Sequence, residues 1–407
     1  MPETTLDEGS AVTRVLRRAR GALSIAATAL ALTACTNSAL DRFGAVEPAQ
    51  PPVEQPAAGA NIGAGQIRVG LILPLSAQGN AAIAATSMKN AAEMALAEFK
   101  DPNIQLLVKD DAGTPQGAQQ AAQQAIDEGA ELIIGPLFAQ SVSAVGGVAR
   151  GRNIPVIAFS TDSSVAARGV YLLSFLPESD VKRIVEFAAS RGKRSVAALL
   201  PENAYGAVVE AALQQEVARR SGRVLAIEKY PVDPGRMAEP VRRIAQQAGS
   251  IDSILIADGA DAVPQVVQAL AAGGVNTKRV QLLGTGLWDD PRIMQTPALD
   301  GGWFAAPEST GFRNFAGRYR ARYGNEPVRT ATLAYDAVAL IAALVKTQGA
   351  QRFSEQTLTN ASGFAGIDGI FRFRPDGTSE RGLAVMQVAP GGARPISPAP
   401  KSFTPGT

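Results

Sequence analysis

Residues 109–141 read KDDAGTPQGAQQAAQQAIDEGAELIIGPLFAQS. The stretch changes periodicity twice. It opens on the end of an apolar run, IQLLVK (104–109), whose Ile, Leu and Val side chains suit a strand. DDAGTP (110–115) then breaks the run with the residues that tolerate or fix turn dihedrals. GAQQAAQQAIDE carries its small apolar residues at helical spacing and stops at Gly129, the usual place for a residue that must turn left-handed after a helix. ELIIG is short and apolar on successive residues, as a strand covered on both faces must be. Strand, helix and strand in so short a span make a crossover unit, which implies a parallel sheet.

Working outward, the rhythm continues. IRVGLIL (67–73) is a second buried strand, followed by a helix over 81–99 with Met88, Ala92, Ala95 and Phe99 on one face. Downstream come a helix over 141–151 and the strand IPVIAF (154–159). A second round follows: helix 179–190, SVAALL (195–200), helix 206–221, RVLAIEKY (223–230), helix 236–247, IDSILIA (251–257), helix 262–272 and VQLLG (280–284). The class is therefore α/β, with two doubly wound parallel-sheet lobes. Helices near 311–323 and 329–347, with the strands IFRFR (370–374) and LAVMQV (383–388), must pack back onto one lobe or the other.

Composition excludes several classes of function. The 407 residues contain no histidine, which removes histidine-based triads, general-base chemistry and metal sites together. The net charge of +2 offers no field for nucleic acid. GGVARG (146–151) fails the dinucleotide fingerprint in spacing and context, there is no P-loop, and no cofactor is expected. Asp110 and Asp111 are adjacent, so their side chains point to opposite faces of a strand. Ser160-Thr161-Asp162 has no base beside its hydroxyls. The chain is expected not to be an enzyme.

The one cysteine, Cys35, has informative flanks. Arg14, Arg17, Arg18 and Arg20 precede the uncharged run GALSIAATALALTA (21–34), which is too short to span a bilayer. This is the pattern of a secretory signal peptide over residues 1–34. Leu32-Thr33-Ala34-Cys35 resembles the lipobox of bacterial lipoproteins, which implies cleavage before Cys35 and lipid on its sulfur. Residues 36–65, rich in Pro, Ala and Gly, read as a flexible tether, and 391–407 as a disordered tail.

In an open parallel sheet the ligand lies beyond the carboxyl ends of the strands. The loops there are 74–80, 110–115, 135–141, 159–164, 201–206, 257–262 and 284–290, and they are rich in hydrogen-bonding residues. Any one of them reads as turn and cap chemistry. Seven in succession read as the walls of a binding cleft. Trp288 and Trp303 are expected to pack beneath loops, and the arginines of 313–322 to form a solvated face.

Residues 109–141 together with GRNIPVIAFSTDSS (151–164), RVGLILPLS (68–76) and AYG (204–206) resemble the leucine/isoleucine/valine-binding type of periplasmic solute-binding protein, from about Gln66 to Val388. LLGTGLWDDP (282–291) and GFAGIDGIFRFRPDGTSERGLAV (363–385) resemble a narrower branch, the penicillin-binding-protein activator lipoproteins. The resemblance implies two lobes joined by a three-segment hinge: 66–177 plus 308–369 in one, 178–307 plus 370–390 in the other.

It also implies a site. The loop after IIGPL, which in amino-acid receptors offers a hydroxyl to the ligand carboxylate, here supplies Phe138, Ala139, Gln140 and Ser141. The next loop supplies Ser160, Thr161 and Asp162, and the AYG turn supplies Tyr205. The acid that grips an ammonium group falls near Gly286, leaving Asp258, Asp289 or Asp290 to substitute; Ser76 completes the set. Asp162 would serve an ammonium group and repel a nearby carboxylate. The expected function is a periplasmic-face lipoprotein with a two-lobed cleft that regulates a cell-wall synthase, as the activators do. The alternative is a receptor delivering an amino acid or similar small polar molecule to an ABC importer. Thr36 after the lipidated cysteine, in place of Asp, points to the outer membrane.

Overall fold

A computed structural model describes residues 61–231 and 236–403 of the chain. The signal segment, Cys35 and most of the tether lie outside the described residues.

The first lobe contains β1 (Ile67–Leu73), α1 (Asn80–Glu98), β2 (Ile104–Asp110), α2 (Pro115–Asp127), β3 (Leu132–Ile134), α3 (Ala139–Arg150), β4 (Val156–Ala158) and β5 (Val170–Leu172). Its sheet runs β2-β1-β3-β4-β5, with every neighbouring pair parallel. The two-residue period of a strand sorts the side chains between two cores. Val69, Leu71 and Leu73 face a core with Met88 and Ala92 of α1, whereas Ile72 faces the other side with Ala118 and Ala122 of α2 and Val142 of α3. Burying each of these Val, Leu, Ile and Met side chains stabilises the fold by about 1.5–3 kcal/mol, and each alanine by less. Gly135 ends β3 at φ 90°, where a Cβ would lie 2.0 Å from the Ile72 carbonyl oxygen. The chain therefore turns tightly under β1, and only glycine fits.

The chain next builds the second lobe: α4 (Pro177–Ser190), β6 (Ser195–Pro201), α5 (Ala204–Arg219), β7 (Arg223–Tyr230), α6 (Ala238–Gln246), β8 (Ser253–Ile256), α7 (Val263–Ala272), β9 (Gln281–Gly284), α8 (Pro291–Met294) and β10 (Trp303–Ala306). α4 and α5 cover one face through Ile184, Val209 and Leu213, and α6 and α7 cover the other through Val241, Ile244 and Val267. The chain then returns to the first lobe with α9 (Ser309–Tyr323), α10 (Ala331–Thr347), α11 (Glu355–Leu358) and a small antiparallel sheet of β11 (Phe364–Gly366), β12 (Gly369–Phe373) and β13 (Ser379–Arg381). A third crossing leads to β14 (Ala384–Ala389) and β15 (Gly392–Ser397) on the second sheet, whose order is β15-β14-β10-β9-β8-β6-β7. The parallel part of that sheet is β10-β9-β8-β6-β7, and β14 and β15 extend it antiparallel.

Three expectations are corrected. The tether does not run to 65: Ile62 exchanges two backbone hydrogen bonds with Leu106, at 3.0 and 2.8 Å, and its side chain is buried. Residues 391–403 do not form a disordered tail. β15 pairs with β14, Ser397 accepts a hydrogen bond from Arg183, and the Phe403 ring lies 4.6 Å beneath the Arg372 guanidinium. Nor does the second lobe's last segment begin at 370, because Phe371 and Phe373 are buried in the first-lobe core beside Tyr171 and Leu173. Five short strands, β5, β10, β11, β13 and β15, also go beyond the sequence reading.

Candidate functional site

The carboxyl ends of the parallel strands carry the residues singled out from sequence. On the first lobe, Ser76 is exposed and donates its backbone N–H to Asp110 Oδ1 at 3.2 Å. Phe138, 39% exposed, stands at the N-terminus of α3, whose first turn has no side-chain cap. The amides at that end, where Ala139 and the exposed Gln140 lie, carry the positive end of the helix dipole and suit an anion. Ser141 is turned inward and fully buried beside Asp111. Burial pushes the Asp111 carboxyl up, and neither Ser141 Oγ nor Asp111 Oδ2 makes a well-formed hydrogen bond. Ser141 thus offers no hydroxyl to a ligand in this conformation.

The loop after β4 behaves as a turn. Ser160 is buried and accepts the Asp162 N–H at 3.1 Å, while Thr161 is exposed. Asp162 Oδ1 accepts from the Ser164 N–H at 2.9 Å and the Ser164 hydroxyl at 2.6 Å. Its carboxylate caps the following 3₁₀ turn (Ser163–Val165) rather than standing free for an ammonium group.

On the second lobe, the Tyr205 hydroxyl meets the buried Thr285 Oγ1 at 2.8 Å. Burial first, and then the charge of Asp180, holds that phenol above its ordinary range. Asp258 is already partnered, accepting from the Tyr230 hydroxyl at 2.9 Å and the Gly259 N–H at 2.7 Å. Gly286 donates its N–H to Asp180 Oδ2 at 2.9 Å. Asp289 has open surface, yet the protein around it raises its carboxyl, and it lies within electrostatic reach of Arg329, Asp368 and Arg313 of the first lobe. Here the two lobes face one another. Trp288 does not join them: it is fully buried in the second-lobe core, with its indole N–H on the Ile256 carbonyl at 3.0 Å.

Sequence reading missed a charged group at the crossings. Arg329 forks onto Asp368 at 2.6 and 2.8 Å and is stacked between Phe175 and Phe312, at 4.8 and 4.7 Å. Arg381 of β13 lies 4.9 Å over Phe175 and 5.7 Å over Phe371. Asp336 of α10 and Asp180 of α4 complete the group, and burial pushes each carboxyl up to about 7. The members come from five separate segments, so no local motif marks them. The sequence signal that touches the group is the stretch 363–385, which holds Asp368 and Arg381 and reads as a likeness to the activator branch rather than as a site.

Among the described residues, no helix is long and apolar enough to cross a membrane, and no cluster of potential metal ligands occurs. A cavity of about 640 Å³ lies behind the crossings, where Lys182 pairs with Glu380 at 2.5 Å.

Known proteins share this architecture. A structure from Rhodospirillum rubrum assigned to branched-chain amino acid ABC transport superposes with a TM-score of 0.73 at 21% identity, covering 81% of this chain and 99% of that one. A branched-chain amino acid ABC transporter periplasmic ligand-binding protein from Burkholderia xenovorans gives 0.66 at 18%, covering 84% and 97%. A solute-binding protein from Rhodopseudomonas palustris, in complex with 3,4-dihydroxybenzoic acid, gives 0.61 at 20%, covering 82% and 96%. An uncharacterized protein of Rickettsia prowazekii is 21% identical over 187 residues, 46% of this chain, and the match spans about half of that protein's length (49%). The periplasmic binding protein family model matches residues 66–393. With the fold, the two facing lobes and a family match over most of its length, the chain belongs to the periplasmic binding proteins.

Proposed function

We propose that the chain is a non-enzymatic solute receptor of the ABC-importer type, binding a small organic molecule between its lobes. One observation carries the reading. The large apolar side chains most exposed among the described residues are Ile83, Phe138 and Leu287, at 58, 39 and 46%. They follow the carboxyl ends of β1, β3 and β9 respectively, on both lobes. Exposed apolar surface gathered at that end of the sheets is what a ligand or partner covers. The uncapped α3 N-terminus supplies a place for an anionic group. Receptors of the same fold bind benzoates and are named for branched-chain amino acids, which accords with a ligand of this size and mixed polarity.

Titration calorimetry of the purified protein against amino acids and aromatic carboxylates tests the reading. Saturable heat that weakens at least tenfold in Leu287→Ser supports it, and the absence of heat across both panels refutes it. We further propose that Cys35 carries lipid; mass spectrometry of the N-terminal peptide tests that directly.

A second reading is a regulator of a cell-wall synthase at the outer membrane. It rests on the likeness of 282–291 and 363–385 to the activator lipoproteins. Loss of solute uptake on deletion supports the receptor, and altered peptidoglycan cross-linking with normal uptake supports the regulator.

A further inference from the structure

The last described residues carry the chain from one lobe back to the other. β15 ends at Ser397 on the edge of the second sheet, and Arg183 of α4 holds that end, donating to Ser397 Oγ at 2.7 Å and to the Pro398 carbonyl at 3.3 Å. Ala399 packs against the second-lobe core, and its N–H donates to Glu308 Oε1 at 3.1 Å, where the chain makes its second crossing into α9. Pro400 lies against Gly382, at the third crossing between β13 and β14; a Cβ there would come 3.2 Å from the proline ring and from its carbonyl oxygen. Phe403 then rests on the first-lobe hairpin. Its ring centre is 4.6 Å from the Arg372 guanidinium of β12, and its carbonyl accepts from Arg372 Nη1 at 3.5 Å. The same ring meets bare backbone at Gly363, where a Cβ would approach within 2.8 Å.

Residues 399–403 are thus a fourth link between lobes that already share three crossings. This link differs in kind. Each crossing is a covalent run between buried elements, whereas the fourth link is closed only by contact at Phe403. Pro400, Lys401 and Ser402 are exposed, so neither core loses a member when the segment beyond Ala399 lifts. Arg372 keeps Glu380 as its ion-pair partner, at 2.7 Å, whether or not the ring is there. A half-buried ring on an already paired guanidinium is a weak hold. The link is also short. Four residue steps reach at most about 14 Å when fully extended, and Pro400 restricts the backbone further. With both ends docked, the lobes cannot turn far apart at this edge without pulling Phe403 from its seat.

We propose that residues 400–403 form a latch across the lobe boundary, docked through Phe403 on Arg372 and Gly363, whose release frees the lobes to change their angle. The latch goes beyond the receptor reading and does not rest on it, because a two-lobed regulator would use the same device. Docking and lobe angle are linked. Whatever favours the docked ring favours the arrangement seen here, and a ligand or partner that needs another angle must release it. The sequence suits a releasable end. SPAPKSF (397–403) has one large apolar side chain, placed last, after two prolines that hold the segment extended.

Spin labels at two exposed positions, Gln119→Cys on α2 and Gln268→Cys on α7, report the distance between the lobes by pulsed electron paramagnetic resonance, in a Cys35→Ser background. The intact chain is expected to give one distance population, with any second one below about 10%. Phe403→Ala and deletion of residues 400–407 are each expected to raise a second, displaced population above that level. Phe403→Tyr keeps the ring and is expected to keep the intact distribution. Circular dichroism and melting check the fold. β15 is left whole in every variant, and if the deletion does not fold, the two Phe403 substitutions decide. A distribution unchanged in Phe403→Ala overturns the latch, even where the melting temperature falls, because the segment then only staples the hairpin. A shift that Phe403→Tyr shares with Phe403→Ala overturns it too, since the ring is then not the anchor. Neither result bears on the receptor reading, which calorimetry tests separately.

Discussion

Asp180, in the first turn of α4, accepts the backbone N–H of Gly286 at 2.9 Å and so ties the second-lobe loop 284–290 to the helix that begins just after the first crossing. The bond favours the carboxylate, yet desolvation dominates and the folded-state pKa is about 7, against 3.8 for a free aspartate. Asp336 behaves alike. Between those two values the folded protein holds protons that the unfolded chain has released, so stability falls as pH rises. The contribution is fully present below about pH 4 and lost through pH 7. Glu380 acts oppositely: Lys182 and Arg372 hold it down at about 2, so its contribution is lost only in strong acid. The melting temperature is expected to be higher at pH 5 than at pH 8. The Asp180→Asn, Asp336→Asn double variant is expected to flatten that slope. A wild-type melting profile that is level from pH 5 to 8 counts against the assignment.

Gly135→Ala is expected to be among the most damaging single-methyl changes in the first lobe. The residue sits at φ 90°, and the new Cβ would lie 2.0 Å from the Ile72 carbonyl oxygen. Left-handed strain alone costs about 1–3 kcal/mol for a residue with a side chain. The clash adds to it, because Ile72 belongs to a central strand that cannot retreat. Chemical denaturation should show a loss of about 3 kcal/mol or more. Gly147→Ala, where nothing lies within 4 Å of the new methyl, is the control and should cost no stability.

Trp288→Phe and Trp288→Ala separate packing from binding. The indole is fully buried beside Phe304 and donates to the Ile256 carbonyl, while a Cβ on Gly284 would strike its ring at 2.1 Å. Truncation to alanine should cost about 3–5 kcal/mol. In the wild type its fluorescence should be blue-shifted and indifferent to ligand. Quenching by a soluble quencher would contradict the buried placement.

The architecture was legible because the strands are buried on both faces and therefore read as unbroken apolar runs, while glycines such as Gly129 mark helix ends. β10 was not, because WFAA (303–306) is short and follows Gly301-Gly302 with no alternation. β15 was not, because GARPIS is an edge strand whose pairing with β14, not its own composition, makes it ordered. At the site, local chemistry was readable and tertiary chemistry was not. Asp162 looked like a ligand group because a carboxylate beside two hydroxyls fits both roles, and only the Ser164 contacts decide for the cap. Arg381 and Asp336 are 45 positions apart in sequence, on a hairpin and a helix, and neither has a local signature.

The capping assignment for Asp162 has its own test. Alanine should cost about 1 kcal/mol, within the range for lost caps, whereas asparagine keeps the acceptor and should cost only a few tenths. Equal losses in the two variants would mean that the charge, and not the cap, is what the loop uses.

The pair Tyr205 and Thr285 makes the sharpest case for coupling within the second-lobe wall. Thr285 is fully buried, and at 2.8 Å the tyrosine hydroxyl is the partner of its Oγ1. Tyr205→Phe removes that partner and leaves a buried hydroxyl unsatisfied, which costs about 1–3 kcal/mol. Thr285→Val removes the other side at nearly constant volume and leaves the partly buried phenol to find water at its open edge, so it should cost less. Together the two changes should cost less than their sum, with a coupling of about 0.5–3 kcal/mol in a double-mutant cycle. Ligand binding provides the second readout. If the phenol leaves Thr285 to meet a ligand, Tyr205→Phe weakens binding by more than it weakens the fold, and Thr285→Val strengthens it by freeing the hydroxyl. Parallel losses of stability and affinity in both variants would instead make the pair a brace for the loop and nothing more.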